Sequence, residues 1–189
     1  MTMSENEQDI AAQIRFWAWS GYYGLEMASE MLEDQLSEAW GDVDAEKMRR
    51  SLAEAFREKA DAEARWPAET DCDRLDRAFA QLEKLGICAV QNAGYTQSDG
   101  HAEVAHALEE LGRKRFHGYC FFHGQDLERA ISGSGLLLAF GDLGADPAKT
   151  VQVGQQIVSV LAAEGFTTTW DGKDTSRIDV RIDWKRRMS

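Results

Sequence analysis

The sequence has two prolines and three cysteines, and no uninterrupted apolar run approaches the roughly 18 residues that a membrane-spanning helix requires. With so few prolines, and a hydrophobic share of 43% that is ordinary for a globular protein, wholesale disorder is not expected. The opening MTMSENEQDI lacks both a basic region and an apolar signal core, so neither export nor membrane insertion is expected. Cys72, Cys88 and Cys120 are odd in number and have no CxxC spacing, which gives no disulfide framework and suits a reducing compartment. The expected location is the cytoplasm.

Bases are also scarce where the chain begins. Residues 1–46 hold 11 acids and one base, so almost all of the net charge of -12 is an N-terminal property. Such a face repels phosphate backbones and anionic lipid, which makes nucleic acid an unexpected partner and a membrane surface an excluded one. The basic runs Arg113-Lys114-Arg115 and Lys185-Arg186-Arg187 read as a helix-end complement to the dipole and as a solvated tail. Missing too are a Walker loop, a GxGxxG after a strand, a GxSxG elbow and an HExxH, so the chemistry that those motifs carry has no anchor here. His101 with His106 and His117 with His123 are spaced i, i+5 and i, i+6, neither a standard ligand pair, and no metal and no cofactor is expected.

What is present organises into two textures. From residue 9 to 66, Ile14, Trp17 and Ala18, then Met27, Met31 and Leu32, then Met48, Leu52 and Phe56 recur at helical spacing. Breaks at Ser20-Gly21 and Gly41-Asp42 make three helices, the third capped by Asp42 or Asp44. The dense aromatics Phe16, Trp17, Trp19, Tyr22 and Tyr23 are expected to pack on the rest of the chain, because three short helices cannot bury themselves alone.

From Thr70 onward short helices alternate with strands at Ile87–Gln91, His117–His123, Leu136–Phe140, Phe166–Trp170 and Arg177–Trp184. Asp146-Pro147 is a strong helix start, and DGKDTS joins the last two strands as a hairpin. The final strand alternates Ile178, Val180, Ile182 and Trp184 against Arg177, Asp179, Arg181 and Asp183, the mark of a sheet with one wet face or edge. The expected fold is therefore α+β: an N-terminal three-helix segment, residues 1–69, packed on a two-layer mixed sheet of about five strands, residues 70–189, as one compact unit. The closing strand, helix, strand, strand order matches half of a ferredoxin-like fold.

Two polar segments are candidates for function. Gln91 to His101 joins a strand to a helix, where free backbone N–H groups face a ligand at the carboxyl end of a sheet. Asn92, Tyr95, Gln97 and Ser98 add donors, and His101 is a candidate base; alternatively Ser98 or Asp99 caps the helix and the glycines serve the turn. In the second segment, His117 to Arg129, strand alternation puts His117, Tyr119, Phe121 and His123 on one face, and His123, Gln125, Asp126 and Arg129 cluster at the strand's end. A His beside an Asp is the minimum for general base work; the plainer reading has Asp126 as a cap and Arg129 paired with it or with another acid. Parallel pairing of the two strands would bring His101 and His123 to one crevice.

The strings TDCDRLDRAFAQLEKLGI, QNAGYTQSDGHAE, GYCFFHGQDLERA and DWKRR resemble an uncharacterised bacterial family, a domain of unknown function, over most of the chain. No activity comes with that resemblance. LDRAFAQLEKLGI with the closing helix and WDG hairpin is more loosely similar to the small acidic inhibitors of ribonucleases, a likeness of fold alone. The expected function is a non-catalytic binding or regulatory module for a protein or small polar ligand. The alternative is a small hydrolase or transferase with His123 and Asp126 as base and the loop's donors as electrophilic stabilisers.

Overall fold

The computed structural model describes residues 4–38 and 43–188. They fall into two compact units, one of the first 70 residues with the tail from Lys185, the other of Asp71–Trp184. The break at Gly41-Asp42, and Asp42 as a cap, lie outside the described residues.

The first unit is helical: α1 (Glu5–Ser20), α2 (Leu25–Glu38) and α3 (Ala45–Glu63). A capping box starts α1, with the Glu7 amide donating to Ser4 Oγ at 3.2 Å and the Ser4 amide to Glu7 Oε2 at 3.3 Å. Gly21 ends it at φ +80°, where a Cβ would also lie 2.5 Å from Arg186. Asp44 caps α3 as expected, its carboxylate taking the Lys47 amide at 3.0 Å. The Lys47 ammonium, 2.8 Å away, and the Asp44 amide hold the Glu7 carboxyl below the usual carboxylate range and pin the start of α1 to that of α3. Phe16 and Trp17 are buried, and Phe16 packs on Tyr23 with ring centroids 5.9 Å apart. The basic tail is not simply solvated. Arg186 stacks over Tyr22 at 4.7 Å and Arg187 donates to the carbonyls of Pro67 and Ala68, because a guanidinium offers both a flat face and several N–H groups.

The second unit runs α4 (Asp71–Lys84), β1 (Ile87–Val90), α5 (Gln97–Leu111), a 3-10 turn (Arg113–Arg115), β2 (Gly118–Phe121), α6 (Gly124–Ile131), β3 (Leu136–Asp142), α7 (Pro147–Ala163), β4 (Thr167–Thr169) and β5 (Ile178–Arg181). Its class is α+β. The five strands make one mixed sheet in the order β1-β2-β3-β5-β4, with β1 and β2 parallel and every other pair antiparallel. Because β5 lies between β3 and β4, the segment β3-α7-β4-β5 is a split β-α-β, the half ferredoxin-like arrangement expected from element order.

Helices lie on both faces of this one sheet, where a two-layer arrangement was expected. One face carries Gly118, Cys120, Leu138, Phe140, Ile178 and Val180 under α4 and α7, with Val153 of α7 so close to Gly118 that a Cβ there would sit 2.6 Å from it. The other face carries Cys88, Val90, Tyr119, Phe121 and Ala139, and α5 covers it over β1 and β2, burying Val104 and Leu108 against Cys88 and Phe121. At Gly100 the helix touches the sheet: an added Cβ would lie 2.1 Å from the Phe121 ring. Beyond α6 the same face is wet, with Arg181, Thr167 and Thr169 exposed on β5 and β4. β1, β2, β4 and β5 are shorter than the runs that announced them, because pairing ends where residues at their tips turn into caps and loops, whereas β3 runs past Phe140 to Asp142, paired with Gly118.

Candidate functional site

Parallel pairing of β1 and β2 brings both candidate segments to the carboxyl end of the same strand pair. Past β1 the chain turns sharply, with Asn92 at φ 49° and Gly94 at φ 61°. Gly94 cannot be replaced cheaply, since a Cβ there would lie 2.3 Å from Asp99 Cβ. The helix cap expected at Ser98 or Asp99 is instead Thr96, whose hydroxyl accepts from the Asp99 amide at 3.3 Å. Asp99 is the third helical residue and closes the box, accepting from the amides of Tyr95 and Thr96 at 3.2 and 2.9 Å. A hydroxyl two residues earlier wins because it leaves Asp99 free to reach back. Those bonds, Thr96 first, hold the Asp99 carboxyl below its ordinary value. A carboxylate at the helix start opposes a second anion there, so phosphate capture by α5 has no electrostatic support.

The two segments are joined by their backbones. Ala93 donates to the Phe122 carbonyl at 2.9 Å, Gly124 to that of Gly94 at 2.9 Å, and Gln125 to that of Tyr95 at 3.2 Å, so the β1–β2 pairing continues past the strands into the loop and the first turn of α6. The Tyr95 hydroxyl adds a bond to Glu128 Oε1 at 3.1 Å, and Gly124 has no side chain because the Tyr95 ring occupies the space, 2.6 Å from where a Cβ would be. Burial and the Glu128 charge raise the Tyr95 phenol above its ordinary pKa.

Beneath this seam lies a polar group that the sequence only half announced. His123 and Asp126 are each 3% exposed. His123 is the residue that caps α6, with Asp126 third in the helix; the His123 amide donates to Asp126 Oδ2 at 3.1 Å and the ring Nε2 is 3.2 Å from the same oxygen. Arg177, just ahead of β5, donates through Nη2 to that oxygen too and to the Leu137 carbonyl at 3.1 Å. With the carboxylate accepting from Arg177, the imidazole carries its proton on Nε2, and Nδ1 is buried without a hydrogen bond. Burial pulls the His123 pKa below its ordinary value; Asp126 opposes that pull and Arg177 reinforces it, leaving a neutral ring at neutral pH. Arg129 pairs with Asp179 through two bonds of 3.1 and 2.9 Å and not with Asp126. Arg177, Asp179 and Glu128 were missed as site residues. For Arg177 and Asp179 the one signal is the alternating run of charges at and just ahead of β5, which says nothing about a partner on α6 such as Asp126, 51 residues from Arg177.

His101 stands apart from this group. It is exposed on α5, edge-on to Tyr119 at 5.5 Å and to Phe121 at 5.1 Å between ring centroids, while His123 meets Phe121 at 6.5 Å. The two imidazoles share an aromatic neighbour and no hydrogen bond joins them. Gln97, Ser98 and Gln125 are exposed, Tyr95 is 46% exposed and Asn92 is half-buried; the side chains of Asn92, Gln97, Ser98 and Gln125 make no hydrogen bond among the described residues. His117 pairs with Gln156 at 3.1 Å, and His106 lies 3.4 Å from Glu110 on the outer face of α5. Among the described residues no group of three or more His, Cys, Asp or Glu is arranged for a metal, and no helix is long and apolar enough to cross a membrane.

The chain belongs to the family described as a domain of unknown function, DUF6891, whose sequence model matches residues 3–188. Neither the curated proteins nor the solved structures contain a match to it.

Proposed function

We propose that the chain is a non-catalytic recognition module that binds a polar partner, a protein or a small polar ligand, through the surface made by the 92–101 loop and the first turn of α6. The observation that supports this reading is the backbone seam that ties the loop to the first turn of α6 next to exposed Tyr95, Gln97, Ser98, His101 and Gln125, with the amide and hydroxyl groups of Gln97, Ser98 and Gln125 unpaired among the described residues. Exposed, preordered and unpaired polar groups are what recognition uses. Asn92 sets the turn and Arg129, through Asp179, ties α6 to β5. Three free, buried thiols fit a cytoplasmic setting.

The test is capture from an extract of the producing cells, comparing wild type with Gln97→Ala/Ser98→Ala/Gln125→Ala at equal folded protein. Recovery of a specific partner by wild type and not by the triple variant is the expected result; equal recovery sinks the reading. The hydrolase or transferase alternative draws its support from the 3.2 Å contact between His123 and Asp126. A general base must reach a substrate proton, however, and here Nε2 faces Asp126 inside the fold. An activity abolished by His123→Asn in a stable protein would favour that alternative.

A further inference from the structure

The recognition surface is held shut by a latch that has an ionisable ring at its root. The latch is the pair of bonds from the Gly124 and Gln125 amides to the carbonyls of Gly94 and Tyr95, with the Tyr95–Glu128 bond outside them. His123 is the residue from which α6 departs, and its ring is enclosed there. The groups that face it are Asp126 from α6, Arg177 from the turn ahead of β5, Asp99 from α5 and the Tyr95 backbone from the loop, with Phe121 of β2, and His101 on that ring, closing the remaining side.

A proton on this ring puts a second positive charge next to Arg177 in a space shut off from water. Both nearby carboxylates are already committed, Asp126 to Arg177 and the His123 amide, Asp99 to the amides of Tyr95 and Thr96. The cheapest way to hydrate the charged ring is to lift the short loop above it, since the alternative is to break the sheet. We propose that proton uptake by His123 in mildly acidic solution releases the 93–96 loop from α6 and takes the polar surface apart, so that partner binding is lost as the pH falls.

The direction of the linkage agrees. A His whose folded value is depressed binds its proton more tightly when exposed, so the closed form is fully favoured above about pH 6.5 and loses ground below it, by at most about tenfold per pH unit until the folded value is reached. The consequence for binding rests on the recognition reading given above; the latch itself needs no partner to be observed.

Amide hydrogen exchange on the whole chain tests it, read as protection at Ala93, Gly124 and Gln125 relative to the intrinsic rate from pH 7.5 to 5.0, with Leu138 of β3 as the internal reference. The expected result is protection at these three amides that lies well below that of Leu138 at every pH, the mark of local opening, and that falls severalfold below pH 6.5 in wild type and stays level in His123→Asn. Level protection in wild type, an equal fall in His123→Asn, or protection at the three amides no lower than that of Leu138 overturns the proposal. If His123→Asn does not fold, the wild-type ring proton followed by NMR decides: titration at or above the ordinary imidazole value is fatal. Loss of the recognition reading would appear elsewhere, as unchanged capture by the triple surface variant at pH 7.5.

Discussion

Two sets of polar residues meet around the 92–101 loop and the start of α6 in this protein, and they differ in burial and in bonding. The inner set is His123 and Asp126, both enclosed, with the half-buried Arg177, and it spends its hydrogen bonds on itself and on the backbone. The outer set, Gln97, Ser98, His101 and Gln125, is exposed and its amide and hydroxyl groups bond to nothing among the described residues. By residue type the inner set is the more suggestive of chemistry, and by geometry it holds the histidine that is turned inward, 3% exposed with Nε2 on Asp126. A histidine beside an aspartate is therefore as good a strut as it is a base, and exposure decides between the two.

The contrast breaks first at Asp126. Asp126→Ala strips an acceptor from Arg177 and from the His123 amide, and unfolding in urea should show a loss of about 3 kcal/mol, discounted for the partial exposure of Arg177. A loss below about 1 kcal/mol would mean that the inner set is not structural. Gly100→Ala comes next. Its Cβ would meet the Phe121 ring at 2.1 Å, so overpacking of about 2 kcal/mol should outweigh the gain in helix propensity, and a stabilised variant would show that α5 is free to shift off the sheet.

Acid sharpens the comparison more gently. The unfolded chain takes up the His123 proton more readily than the folded one, so global stability should decline as pH falls below about 6.5, with His123 contributing no more than about 1.4 kcal/mol per unit and a shallower decline in His123→Asn. Identical slopes in the two proteins would remove His123 from the account. The smallest effects belong to the outer set: Gln97→Ala, Ser98→Ala and Gln125→Ala should each stay within about 0.5 kcal/mol of wild type in the same unfolding assay.

The sequence carried the fold further than it carried the site. Asp146-Pro147, the hairpin and the alternation of Ile178, Val180 and Ile182 each follow from local rules, and each appears where those rules put it. The parallel neighbourhood of β1 and β2 was needed to bring the two polar segments together, and it was conditional on a pairing that no local pattern specifies. Thr96 took the cap from Ser98 and Asp99 because a capping box rewards the residue three before an acid, a cue that lay in plain view. Arg177 lay beyond reach: its contact with Asp126 depends on β5 inserting beside β3, a long-range event. Nor could periodicity separate inner from outer, since His123 and His101 differ by burial under a loop and not by spacing.

The most direct test of the division is a single capture experiment at pH 7.5 with three proteins side by side: wild type, the triple variant Gln97→Ala/Ser98→Ala/Gln125→Ala, and His123→Asn, each loaded by folded fraction. If the outer set recognises and the inner set only supports, the triple variant loses the partner while His123→Asn retains it. The reverse pattern, binding kept by the triple variant and lost with His123 in a folded protein, would contradict the account.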